Sequence, residues 1–230
     1  MSELTSSVVD LPSSARTSQE SANAAIGAGK RARFDPAQLD PQAALEYLYE
    51  GNRRFVAGET LEPNRNETRL QEIVDRQTPF AAFLGCADSR VPIEFIFDQG
   101  FGDLFVTRIA GNVATSENIG SLEFGTQVLG AKVLFVLGHT NCGAVAATMK
   151  RDAVPGQISS LFQYIRPAVR NAGGDLDQAV GMNVRLQAQT LAEASPVIAQ
   201  RIREGKLIIA GGVYDLATGL VKPVALDEIC

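Results

Sequence analysis

Three short apolar runs constrain this chain most: Pro79-Phe-Ala-Ala-Phe-Leu-Gly85, Leu104-Phe-Val-Thr-Arg-Ile109 and Lys132-Val-Leu-Phe-Val-Leu-Gly138, the last nearly all apolar. A strand with one wet face alternates polar and apolar residues. A run of strand length without that alternation suits a strand covered on both faces, as in a parallel sheet. Leu207-Ile-Ile-Ala210 reads as a fourth strand, and Asp215-Leu-Ala-Thr-Gly219 as a hairpin turn into 220–226. Helical patterns lie between: 118–129, a helical start over 144–150, and a long amphipathic segment from about Asp177 to Arg203. Ahead of the first strand, Asp40-Pro41 pairs an N-cap with a proline at the first helical position. Ala44, Leu45, Leu48 and Phe55 follow at roughly helical spacing, and Gly58 suits the helix end. Strands alternating with helices predict an α/β fold, a mainly parallel central sheet flanked by helices.

The 230 residues suit one domain, and 45% apolar content supplies its core. Residues 1–33 are rich in Ser, Ala and Thr and poor in large apolar groups, so a flexible tail is expected there, or an arm that docks on a partner subunit. The single folded domain is expected over 34–230. A formal charge of −5, with both signs interspersed, argues against nucleic acid or an anionic membrane as partner. The chain has no apolar stretch of about 18 residues, and its start lacks a basic segment followed by an apolar one. Three cysteines, Cys86, Cys142 and Cys230, do not make a secreted disulfide framework, and reduced thiols in the cytoplasm are expected. A G-x-G-x-x-G turn after the first strand, a phosphate-binding loop of the Walker type and C-x-x-C are all missing, which disfavours nucleotide binding and thiol redox chemistry.

Two of the strands run into chemistry. The first ends in Gly85-Cys86-Ala87-Asp88-Ser89-Arg90, the third in Gly138-His139-Thr140-Asn141-Cys142-Gly143. Open α/β sheets bind ligands at the carboxyl ends of their strands. A lone cysteine is more often a packing residue, and H-x-x-C by itself is weak. Here two thiols and the chain's only histidine share one kind of location, each beside a glycine. Cys, His and Cys suit zinc, and three protein ligands leave a fourth position open for catalysis. Asp88 and Arg90 read either as an ordinary loop ion pair or as a carboxylate held ionised beside the metal. In the second case Asp88 accepts a proton from water on the zinc, or itself takes the fourth position and closes the site.

Cys86-Ala-Asp-Ser-Arg90 and His139-Thr-Asn-Cys142 resemble the C-x-D-x-R and H-x-x-C motifs of β-class carbonic anhydrases. Arg108-Ile-Ala-Gly-Asn112 between them resembles the family's R-x-A-G-N segment, and Glu123-Phe124 stands where Glu-Tyr is common. The resemblance runs from about Asp40 to Leu226. It implies a zinc enzyme that interconverts carbon dioxide with bicarbonate and a proton, through a hydroxide on the metal. Cys86, His139 and Cys142 would be the ligands and Asp88-Arg90 the catalytic dyad. Gln77, the Gly143 N–H, Phe105 and Phe124 would contact or wall the substrate pocket, with a neighbouring subunit of a homodimer or homotetramer helping to form it. For the two phenylalanines, plain core packing is the competing expectation. Relatives of this fold act on carbon disulfide or carbonyl sulfide, and a non-catalytic homologue is a further alternative. Some bacterial members bind bicarbonate at a remote Trp-Arg-Tyr site. Arg108 and Tyr214 match two of those positions, while Phe83 stands in place of the Trp. Two thiolate ligands donate more charge than three imidazoles, so better activity at alkaline pH is expected.

Overall fold

The computed structural model describes residues 35–150 and 153–226. The expected tail and Cys230 lie outside them. Helix α1 spans Pro41–Ala57. The side chain of its N-cap, Asp40, accepts the Ala43 N–H at 2.8 Å, and Gly58 closes it in the left-handed conformation at φ 71°. The sequence pattern thus marked both ends. A short helix not anticipated from sequence, α2 (Glu67–Glu72), is N-capped by Asn66.

Strand β1 (Ala81–Gly85), the short helix α3 (Ile93–Ile96), strand β2 (Leu104–Arg108) and helix α4 (Ser116–Glu123) follow. A π-helical turn at Phe124–Val128 leads into β3 (Val133–His139) and α5 (Gly143–Lys150). Helix α6 (Phe162–Asn171), with Pro167 inside it, had no counterpart in the sequence reading. The segment expected as one amphipathic stretch over 177–203 is two helices, α7 (Leu176–Ala194) and α8 (Pro196–Arg203). The break is Ser195, which is extended, fully buried, and caps α8 by accepting the Ile198 N–H. Ser-Pro is a helix start, and it interrupts a periodicity that otherwise runs through it.

Strand β4 (Ile208–Tyr214) extends four residues past the expected Ala210, and β5 (Val221–Pro223) completes the expected hairpin. In the turn, the Gly219 N–H donates to the Asp215 carbonyl at 2.8 Å. The sheet order is β2-β1-β3-β4-β5. The first four strands are parallel, and β5 is antiparallel to β4.

Both faces are covered, which is why β1 and β3 are apolar throughout. Phe83 and Phe135 point to one face, packing with Leu48, Ile93, Ile96 and Phe97. Leu84, Leu134 and Val136 point to the other, among Leu122, Val184, Leu191 and Ile198. Helix α7 lies close against β3. A Cβ on Gly138 would come within 2.7 Å of Val184 Cγ2, so the glycine admits the helix. From β1 the chain crosses to β2 on one side, and from β3 to β4 on the other. The point where the winding reverses is therefore between β1 and β3, where such sheets open a crevice at their carboxyl ends. Cys86 follows β1 there, and His139 ends β3.

Candidate metal centre

Gly85 is level with Leu137 in the β1–β3 register, so Cys86 emerges beside the end of β3. The tight turn after β3, with Asn141 left-handed at φ 55°, carries Cys142 to the start of α5. The ligand atoms of Cys86, His139 and Cys142 all lie within 4.8 Å of one another. All three residues are buried, at 4%, 0% and 1% exposure. Val113, Val145, Ile165, Ala179 and Val180 pack around them as an apolar floor.

His139 Nδ1 is 2.9 Å from the Thr140 carbonyl, so it carries the proton and donates. Nε2 is buried and has no hydrogen-bond partner. A buried polar atom is normally paired, and an imidazole whose other nitrogen donates to a carbonyl is the arrangement of a metal-ligating histidine. The Cys142 thiol donates to Cys86, which lowers Cys86 and pushes Cys142 up. The Gly111 N–H donates to Cys86 Sγ at 3.3 Å, a further support for negative charge on that sulfur. Two adjacent sulfurs and one orphaned imidazole nitrogen fit a dication of borderline softness.

Asp88 sits at the rim, its Oδ2 3.8 Å from His139 Nε2. Arg90 grips both carboxylate oxygens, Nε to Oδ1 at 2.9 Å and Nη2 to Oδ2 at 2.8 Å, while its backbone N–H also donates to Oδ1. These bonds hold the Asp88 carboxyl well below the usual carboxylate range. Arg108 fixes the loop itself, donating from Nε to the Cys86 carbonyl at 2.9 Å and from Nη2 to the Asp88 carbonyl at 2.6 Å. Its hydrogen bonds thus go to backbone around the metal group. Phe83 is fully buried between Phe97 and Phe135, with ring centroids at 5.1 and 5.3 Å, and Tyr214 is 7% exposed.

Of the remaining anticipated residues, Gly143 lies beside the cluster and the others fall elsewhere in the single chain. Gly143 opens α5 directly after Cys142. Gln77 precedes β1 and lines a cavity of about 620 Å³ with Ile73, Leu104 and Val128. Cys86 follows the other end of β1, and five residues at about 3.3 Å each put some 16 Å of strand between the two ends. Phe105, level with Ala82, and Phe124 pack on each other at 6.3 Å between centroids, and Phe124 is 47% exposed. Phe105 is partly buried and packs against the core, as the competing expectation has it, whereas Phe124 is largely open to solvent. The sequence reading did not assign the Gly111 N–H, the Thr140 carbonyl or the carbonyl contacts of Arg108. The R-x-A-G-N resemblance was the one available signal, and it covers two of the three.

Fold and site together define an α/β protein with a buried Cys-His-Cys metal group at the switch point of a parallel sheet. The family model for carbonic anhydrase matches residues 81–221. A carbonic anhydrase of Mycolicibacterium smegmatis is 38% identical over 191 residues, covering 80% of this chain and 93% of that protein. Among solved structures, the β-carbonic anhydrase of Coccomyxa in complex with acetazolamide is similar at TM-score 0.62 and 29% identity, covering 78% of this chain and 86% of that one. One of two tetrameric β-carbonic anhydrases from Sordaria macrospora shares the fold at TM-score 0.65 and 20% identity, over 80% of this chain and 98% of that one. The chain belongs to the carbonic anhydrase family, in its β class, and is an enzyme of that family. No helix among the described residues is long and apolar enough to cross a membrane.

Proposed function

We propose that this protein catalyses the reversible hydration of carbon dioxide to bicarbonate and a proton, with zinc held by Cys86, His139 and Cys142. The observation that carries the reading is the buried triad with an unpartnered His139 Nε2 beside a carboxylate already gripped by arginine. Two sulfurs and one imidazole nitrogen are the donors zinc accepts in a three-ligand catalytic site. Zinc there supplies a Lewis acid that makes hydroxide available near neutral pH.

The chain's own residues do the rest. Asp88, ionised and aimed by Arg90, accepts the proton of the nucleophilic water and fixes the direction of its lone pair. The bidentate grip keeps Asp88 out of the ligand set, which supports an open fourth position rather than an Asp-closed one. The apolar floor of Val113, Val145 and Ile165 excludes bulk water and suits an uncharged substrate. The Gly143 N–H, at the amino end of α5, suits an oxygen of the bicarbonate product.

Gln77, Phe105 and Phe124 serve a pocket only if a second copy brings them. The edge strand β2, with Phe124, Val128 and Val74 exposed beside it, is the surface that suits a homodimer, the unit from which a homotetramer is built. With Cys86 and Cys142 as reduced ligands, a cytoplasmic location fits.

The test is to count zinc per chain and to follow carbon dioxide hydration by stopped flow at neutral and alkaline pH. One zinc per chain with rapid hydration is expected. Zinc without hydration at any pH would sink the carbon dioxide reading and direct attention to carbon disulfide, carbonyl sulfide or a non-catalytic role.

A further inference from the structure

Helix α7 carries two buried amides four residues apart, Asn183 and Gln187, each 1% exposed. Buried amides four apart share one helix face. Asn183 Nδ2 donates to the Gly111 carbonyl at 2.9 Å. Gln187 Nε2 donates to Asn183 Oδ1 at 3.0 Å and to the Tyr164 carbonyl at 3.1 Å. Gln187 Oε1 accepts the Ala114 N–H at 2.8 Å. The pair therefore holds the 111–114 loop at both ends. This loop is otherwise an awkward piece of backbone, with Gly111 at φ 76° and Asn112 at φ 43° in succession. At its apex the Gly111 N–H meets Cys86 Sγ.

We propose that Asn183 and Gln187 are positioning residues of the metal centre: they fix the loop so that the Gly111 N–H stays aimed at the Cys86 sulfur. The inference rests on the zinc reading above. Neither side chain bonds a proposed ligand: Asn183 holds the Gly111 carbonyl and Gln187 the Ala114 N–H, and both act through the backbone that carries the Gly111 N–H. A side chain at Gly111 is strained by the left-handed φ of 76°, and its Cβ would crowd Ile165 Cδ1 at 2.7 Å and Ala144 Cβ at 3.2 Å. With the sulfur's hydrogen bond held, negative charge on Cys86 is stabilised and its direction is set. With the loop released, the thiolate loses both, and groups that orient ligands from behind typically change metal affinity by roughly 10- to 100-fold.

The experiment measures zinc release from the full-length protein to an excess of chromogenic chelator, for the wild type, Asn183→Ala, Gln187→Leu and Asn52→Ala. Asn52 is the control. It is as buried as Asn183, and it bonds the Ile96 and Gly219 carbonyls and the Val221 N–H, none of which belongs to the triad or to the 111–114 loop. Expected are release roughly 10- to 100-fold faster from Asn183→Ala, a smaller acceleration from Gln187→Leu, and the wild-type rate from Asn52→Ala. In the cobalt-substituted protein the sulfur-to-metal charge-transfer band should move to lower energy in the α7 variants and stay in place in the control. Gln187→Leu gives the same readouts if Asn183→Ala does not fold. Equal release from the α7 variants and the control, with the band unmoved, would overturn the proposal while leaving the zinc reading intact. A wild type that holds no zinc would overturn both.

Discussion

Replacing Asp88 with Asn tests the proposed chemistry with least disturbance to the fold. The change is nearly isosteric, and it keeps one oxygen to accept from Arg90 while the other becomes an NH2. That amide cannot take a proton, and it turns a donor towards both Arg90 Nη2 and the site. Arg90 is mostly exposed, with 54% of its side chain accessible, so water takes over its lost partner and folding should be little affected. The rate is a different matter. A positioned proton acceptor contributes roughly 10²- to 10⁴-fold. Arg90 holds the Asp88 carboxyl well below the usual range, which makes it a weak base whose main service is to orient. The lower end applies, a loss of about 100-fold in kcat/KM for carbon dioxide hydration. Zinc content should be unchanged, because the carboxylate spends its bonds on Arg90. Stopped-flow hydration and metal analysis of the same samples decide the matter. Activity within about threefold of wild type would refute the role assigned to Asp88, given the magnitudes such acceptors show. Loss of zinc would show Asp88 to be a ligand. A gain in activity at low pH would show that it closes the site in the native enzyme.

Three other outcomes follow from the same geometry. Asp98 is fully buried and accepts from Arg54 Nε at 2.7 Å and from the Leu61 and Glu62 N–H groups at 3.0 Å each. Asp98→Asn should cost about 3 kcal/mol at pH 7 by urea unfolding. Burial raises this carboxyl and its hydrogen bonds outweigh burial, so its folded pKa lies below the ordinary 3.8. A depressed folded pKa stabilises above the unfolded value and loses that stability as pH falls through the folded one, so the wild-type and variant curves should converge only on acidification below about pH 4. Gly138→Ala should lower stability by about 1 to 3 kcal/mol, since its Cβ meets Val184 Cγ2 at 2.7 Å and α7 must retreat from β3. Hydration should rise from neutral to alkaline pH, because two thiolates donate more charge to zinc than the three imidazoles that bring bound water to a pKa of about 7; a flat pH–rate profile would contradict this.

What the sequence disclosed and what it hid divide along a physical line. Phe83, Phe135 and their neighbours announce buried parallel strands because a covered strand cannot alternate. Asp40-Pro41 and Gly58 mark α1 because cap chemistry is local. Cys86 and His139 stand out because each is an unusual donor directly after such a strand. These signals are carried by a residue and its near neighbours. The break at Ser195 was equally local, but the apolar spacing on both sides of it read as one continuous face. The contacts from Asn183 to Gly111 and from Arg108 to the Cys86 carbonyl were not local. An Asn on an apolar helix face reads as a flaw until the fold shows which carbonyl it meets, seventy-two residues away. The Cys-His-Cys cluster is therefore legible in a single sequence, whereas the side chains that bond the loops around it become legible only once α7 has been packed against the sheet. Gln77, Phe105 and Phe124 lie a step beyond that. The sheet sets Gln77 at the opposite end of β1 from Cys86, and on the proposed reading a second copy brings these residues to a pocket.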